Sequence, residues 1–167
     1  MTKILYLFLT LLISSAAFAD KNMKIGKKGK ISDVTRTIQV KMYDNYYEPN
    51  SFSFKKGETV KFEVINAGEL VHEFNIANAM LHLKHQPEMS KMVEHEILLP
   101  DSIDKEKMKN MGKTDHAMGH AHSNSVLLSP NEKGTIIWKF VNAASIEIAC
   151  NVPGHYQDGM IATVSLN

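Results

Sequence analysis

The sequence predicts an all-β chain, a β-sandwich of short strands interrupted by a long Met- and His-rich insertion that is partly helical or disordered. Three observations carry that expectation. Apolar and polar residues alternate with period two in several short runs, as half-buried strands require. Gly, Asn and Pro clusters separate those runs, which suits antiparallel strands folded into a sandwich. Residues 79–125 show no convincing alternation and are rich in Met, His, Lys and Glu. A segment of that length inside a compact domain is usually functional or disordered.

The chain starts with the three parts of a secretory signal. Lys3 gives the positive start, Ile4 to Ile13 is an apolar run broken only by Thr10, and Ala17-Phe18-Ala19 offers small residues for cleavage. The run falls short of the roughly 20 residues that cross a bilayer. Residues 1–19 are therefore expected to direct export to the periplasm, with cleavage near Ala19 and no stable membrane insertion afterwards. Residues 20–33, rich in Lys and Gly, read as a flexible N-terminal arm. One domain, 34–167, follows.

Within it, Ile38, Val40 and Met42 face one way and Gln39 and Lys41 the other. Pro49 and Asn50 break that strand, Phe52 and Phe54 resume the pattern, and Lys55-Lys56-Gly57-Glu58 marks a turn. Val60, Phe62 and Val64 give the clearest strand, ending at Asn66-Ala67-Gly68, with a short one expected around Glu73 to Ile76. Beyond the insertion, alternation returns at 135–140, 145–150 and 160–166.

Composition narrows the function. Nineteen basic residues against eighteen acidic ones leave a formal charge of +1, which argues against a nucleic-acid partner held through phosphates. At 22% charged residues the chain is too polar for an integral membrane bundle. Eight His and ten Met stand out, because these are borderline and soft metal ligands.

Cys150 has no intrachain partner. Exported domains usually pair their cysteines, so three readings stay open: a buried inert thiol, an intermolecular disulfide, or a metal ligand. Its neighbours favour the last. Cys150, His155 and Met160 share one short loop that Pro153, Gly154 and Gly159 allow to bend sharply. A thiolate, two imidazoles and a weak thioether are the ligands of an electron-transfer copper site. His72, just after a strong strand, is placed to be the second imidazole.

Residues 34–77 and 126–167 resemble the cupredoxins, the blue copper proteins such as plastocyanin, azurin and rusticyanin. The resemblance rests on Pro49 to Phe62, Asn66, His72 and the Cys150-to-Met160 loop, whose Cys-x4-His-x4-Met spacing looks most like rusticyanin. It implies a Greek-key β-sandwich with one type 1 copper at one end, held by His72, Cys150, His155 and Met160. It also implies that His155 is the more exposed imidazole. Glu73 departs from the pattern, since many members have there a small polar residue that ties the two ligand loops together.

The insertion carries further donors: Met80, His82, His85, Met89, Met92, His95, Met108, Met111, His116, Met118, His120 and His122. Met89/Met92 and Met108/Met111 stand at i,i+3, as on the packed face of an amphipathic helix. The tract from His116 to His122 has flexible neighbours and reads as a compositional metal-binding signal rather than a merely solvated segment. Thioethers select copper(I), so the insertion is expected to collect additional copper(I) beside the blue site.

The sequence thus points to a periplasmic copper-binding, electron-transfer protein, similar to cupredoxins linked to copper tolerance, that meets a redox or copper-handling partner. Two alternatives are a dedicated electron carrier between respiratory proteins and a His-rich protein that sequesters zinc or nickel. An enzyme is disfavoured, because only His120-Ala121-His122 has the His-x-His form that multicopper oxidases repeat.

Overall fold

The computed structural model describes residues 25–141 and 145–167. The expected signal (1–19) and the start of the expected arm (20–24) lie outside the described residues. Ten strands are described: β1 (Lys27–Lys28), β2 (Arg36–Tyr43), β3 (Tyr46–Glu48), β4 (Ser51–Phe54), β5 (Thr59–Asn66), β6 (His72–Ala77), β7 (Ser125–Leu128), β8 (Lys133–Lys139), β9 (Glu147–Ala149) and β10 (Ile161–Leu166). They form two five-stranded sheets, ordered β1-β8-β5-β2-β3 and β4-β10-β9-β6-β7. The sandwich is not wholly antiparallel. β2 runs parallel to β5, and β4 runs parallel to β10.

Alternation does what period two requires. In β2, β4 and β5 the apolar set Val40, Met42, Phe52, Phe54, Val60, Phe62 and Val64 turns inward and is buried. The residues of β2 and β5 come from one sheet, and they share the core with Phe52 and Phe54 of β4 and with Phe74, Ile76, Ile148 and Ala162 from the other. Phe54 stacks on Phe140 at 4.1 Å between ring centroids, and Phe62 lies 5.3 Å from Phe74. Each fully buried Phe contributes roughly 1.5–3 kcal/mol.

Residues 25–33 are not a free arm. β1 pairs with the edge of β8, Ile25 is buried, and the Trp138 Nε1–H donates to the Ile25 carbonyl. A two-residue Lys strand has no periodicity to reveal it, since the pairing comes from an unfilled sheet edge.

The insertion is ordered and helical. It contains α1 (Ala79–Glu94), α2 (Lys105–Met111) and a 3-10 turn (His116–Gly119). The Asn78 side chain caps α1 by accepting from the Leu81 N–H. His82, His85, Met89 and Met92 are the buried residues of α1, and their 3-4-3 spacing puts them on one helix face. His85 of that face reaches Glu73 of β6, a strand whose six residues are all buried. Met89, Met92 and Met118 pack with Val71, Ile97 and Leu98 in a second apolar cluster, flanked by partly buried Met108 and Met111. The packing role expected of the i,i+3 methionines is thus their observed position.

Candidate metal centre

His72 opens β6, and its approach is fixed by the loop before it. Asn66 Nδ2 donates to the carbonyls of Leu70 and Leu128, and its side-chain oxygen accepts from the Gly68 N–H. Asp44, in the β2–β3 turn, accepts from the Glu69 and Leu70 N–H groups and from His72 Nε2 at 2.8 Å. Gly68 makes that approach feasible, because a Cβ there would sit 2.4 Å from Asp44 Oδ1 and 3.0 Å from His72 Nε2.

Cys150 follows β9, antiparallel to β6, so the two strands bring residues 72 and 150 together. One ring nitrogen each from His72 and His155, with Cys150 Sγ, lie within 4.8 Å of one another. His155 Nδ1 is 3.4 Å from the sulfur, and the two imidazole rings are 5.0 Å apart. The loop closes tightly: Met160 N–H donates to the His155 carbonyl, and Cys150 N–H donates to that of Met160. Gly154 and Gly159 adopt φ of +95° and +90° within it, a region that favours glycine. Met160 is fully buried in the same core cluster as Cys150, whereas His155 is only half-buried.

The electrostatics suit neutral imidazoles. Burial pulls His72 down despite the opposing Asp44 carboxylate, and burial with the neighbouring His72 lowers His155. Burial pushes the Cys150 thiol up to about 12. Among the described residues His72 Nδ1 is buried with no hydrogen-bond partner, as are His82 Nε2, Gln86 Nε2 and Ser125 Oγ, and of these only His72 Nδ1 belongs to the group of His72, Cys150 and His155. Buried polar atoms are seldom left so.

Glu73 does tie the two loops. Its backbone N–H donates to Cys150 Sγ at 3.3 Å, and its carboxylate Oε2 accepts from Asn151 Nδ2 at 2.7 Å and from the Asn151 N–H. Its Oε1 meets His85 Nε2 at 3.1 Å, His120 Nε2 at 2.8 Å and Asn75 Nδ2 at 3.0 Å. Burial alone would raise its pKa, but the hydrogen bonds from His120 and His85 hold it well below the usual carboxylate range.

The donors expected in the insertion divide. His85, His120 and His122 gather beside Glu73 and Glu88. His82 is buried against Asn151, while Met80, His95 and His116 are exposed. Sequence reasoning missed Asp44 and Glu88 as site residues and left Glu73 without a role. The stripe 82-85-89-92 was the available signal that two histidines of α1 face the sandwich.

The comparisons agree with this architecture. The family model for a cupredoxin-like domain matches residues 3–102. The copper-resistant cuproprotein CopI of Pseudomonas aeruginosa is 37% identical over 159 residues, covering 92% of this chain and 88% of that protein. The CopI of Rubrivivax gelatinosus is 30% identical over 146 residues, covering 87% and 74%. Among solved structures, auracyanin B superposes with a TM-score of 0.58 at 14% identity, covering 87% of this chain and 96% of its own. That last likeness concerns the fold alone.

Proposed function

The chain belongs to the cupredoxin-like family, and on that premise we propose that it is an exported copper-binding protein of the periplasm that serves copper tolerance. In this reading His72, Cys150, His155 and Met160 hold one type 1 copper. The observation that carries it is the unpartnered, buried Nδ1 of His72 beside a buried thiol and a second imidazole. His72 Nε2 is occupied by Asp44, so Nδ1 is the nitrogen left to coordinate. A carboxylate on the far nitrogen is the usual way a ligating histidine is held in one tautomer. The donor set, two imidazoles with a thiolate and a thioether, is the one that suits blue copper.

When bound, copper supplies a one-electron couple at this site. The protein's own part is to hold the donors still: β6 and β9 fix His72 and Cys150, and the closed loop fixes His155 and Met160. The Glu73 N–H steadies the sulfur. Coordination deprotonates a thiol, so loading is expected to release the Cys150 proton. His155 lies in an apolar hollow of about 220 Å³ with Leu70, Val93, Leu99 and Pro153. That hollow is where a redox or copper-handling partner would meet the more exposed imidazole.

Absorption spectroscopy tests the reading. Copper(II)-loaded protein should show an intense visible charge-transfer band that Cys150→Ser abolishes. His72→Ala should weaken copper binding far more than His95→Ala. A colourless, fully loaded protein, or equal losses in the two histidine variants, would misplace the site.

A further inference from the structure

We propose that Glu73, His85 and His120 form a second metal centre, separate from the Cys150 site, for a borderline divalent cation, with copper(II) bound more tightly than zinc(II). His122 stands at its solvent side as a fourth donor.

Three features argue for a built site. The first is convergence. Glu73 Oε1 is met by His85 Nε2 at 3.1 Å and His120 Nε2 at 2.8 Å, and one donor atom from each of the three residues lies within 4.8 Å of the others. The rings of His85, His120 and His122 are mutually 5.1–5.3 Å apart.

The second is the surrounding hydrogen-bond pattern. Glu88 Oε2 pairs with His85 Nδ1 at 2.7 Å, which leaves His85 Nε2 to face inward. That carboxylate–histidine arrangement is typical behind a metal ligand. Asn75 and Asn151 hold the two oxygens of Glu73 independently of the histidines. The ligand positions are thereby set by β6, by α1 and by the segment after the 3-10 turn, which buried Met118 anchors.

The third is charge. Glu73 is wholly inaccessible to solvent, and the His120 side chain is 3% exposed. A buried carboxylate needs a compensating positive charge, and a divalent ion supplies it without protonating three adjacent imidazoles. Imidazole and carboxylate without sulfur favour borderline divalent ions over copper(I), and the affinity order places copper(II) above zinc(II). A cleft of about 310 Å³, lined by His85, Glu88 and His122, gives the ion a way in.

This differs from the copper(I) collection by thioethers expected from the sequence, because Met89, Met92 and Met118 lie in the apolar cluster. Filling the site would also staple α1 and the His120 segment to β6.

The test uses the full chain carrying Cys150→Ser, titrated with copper(II) alone. It should bind one ion without an intense visible band and give a paramagnetic resonance spectrum with nitrogen hyperfine structure. Adding His120→Ala should weaken that binding by more than the roughly 10–100-fold typical of outer partners. Adding Glu88→Gln, on the outer side of the cluster, should weaken it within that range, and adding His116→Ala should leave it unchanged. Excess zinc should displace copper only at much higher concentration. The proposal is overturned if His120→Ala and Glu88→Gln both leave the affinity of the Cys150→Ser protein unaltered, or if His116→Ala abolishes it. The wild-type visible band reads the Cys150 site, so failure of one assignment is distinguishable from failure of the other.

Discussion

Replacing Glu73 with Gln in the metal-free protein keeps the shape of the side chain and removes its charge. The carboxylate is wholly buried and accepts from Asn75, His85, His120 and both nitrogens of Asn151. A Gln amide turns one acceptor into a donor that faces other donors, and it leaves the imidazolium of His85 with only the outer, partly exposed Glu88 carboxylate as its anion. Breaking a buried ion pair by removing one partner costs about 3–5 kcal/mol. For a chain of this size that corresponds to roughly 6–20 °C in Tm. The dependence on pH sharpens the test. Burial lowers His85, but the Glu73 and Glu88 carboxylates outweigh it and raise the ring to about 9. A raised histidine stabilises fully below its unfolded value near 6.5 and loses that contribution as pH climbs through about 9. Glu73, held low, contributes above its unfolded value of 4.5 and loses it as pH falls. The gap between wild type and Glu73→Gln should therefore be widest between those two unfolded values. It should narrow by roughly 2–3 kcal/mol towards about pH 10. Urea unfolding of chelator-treated protein at about pH 6 and about pH 10 measures both numbers. A cost under about 1 kcal/mol at the lower pH, or a gap indifferent to pH, would refute the buried ion-pair account.

Asp44→Ala should leave the fold intact yet weaken copper binding at the Cys150 site by about 10–100-fold, as loss of an orienting partner does; an unchanged affinity in a competition titration would show that Asp44 does not orient His72. Met92→Ala should cost about 2–5 kcal/mol and expose α1 to proteolysis before the sandwich. A cost under about 1 kcal/mol would mean that the second apolar cluster is loosely packed.

The Cys150-to-Met160 loop was legible because its residues are close in the chain and its turn residues advertise the bend. Strands β2, β4, β5 and β10 were legible because one of their faces is buried and the other is largely not, which is what period two reports. β6 was only partly so. Buried on both faces, it carries His72, Glu73 and Asn75 where an apolar run would be expected; His72 finds Asp44, Glu73 finds His85 and His120, and Asn75 accepts from Asn124 while donating to Glu73 of its own strand. β7 is not legible because Val126-Leu127-Leu128 is a continuous apolar run without alternation, although Ser125–Leu128 pairs with β6.

The amino-acid order by itself determined the sandwich, the loop that joins a thiol to an imidazole and a thioether, and the helical spacing of the insertion's methionines. Those are local facts, fixed by side-chain periodicity and turn chemistry. Only the tertiary structure decided that Asp44 holds His72 and that Glu73 joins Asn151 to His85 and His120. It also decided that three of the insertion's histidines gather while its methionines pack. Such contacts span 12–78 residues, and no short-range pattern encodes them. They follow from which buried charges and polar atoms must find partners once the two sheets and α1 have closed.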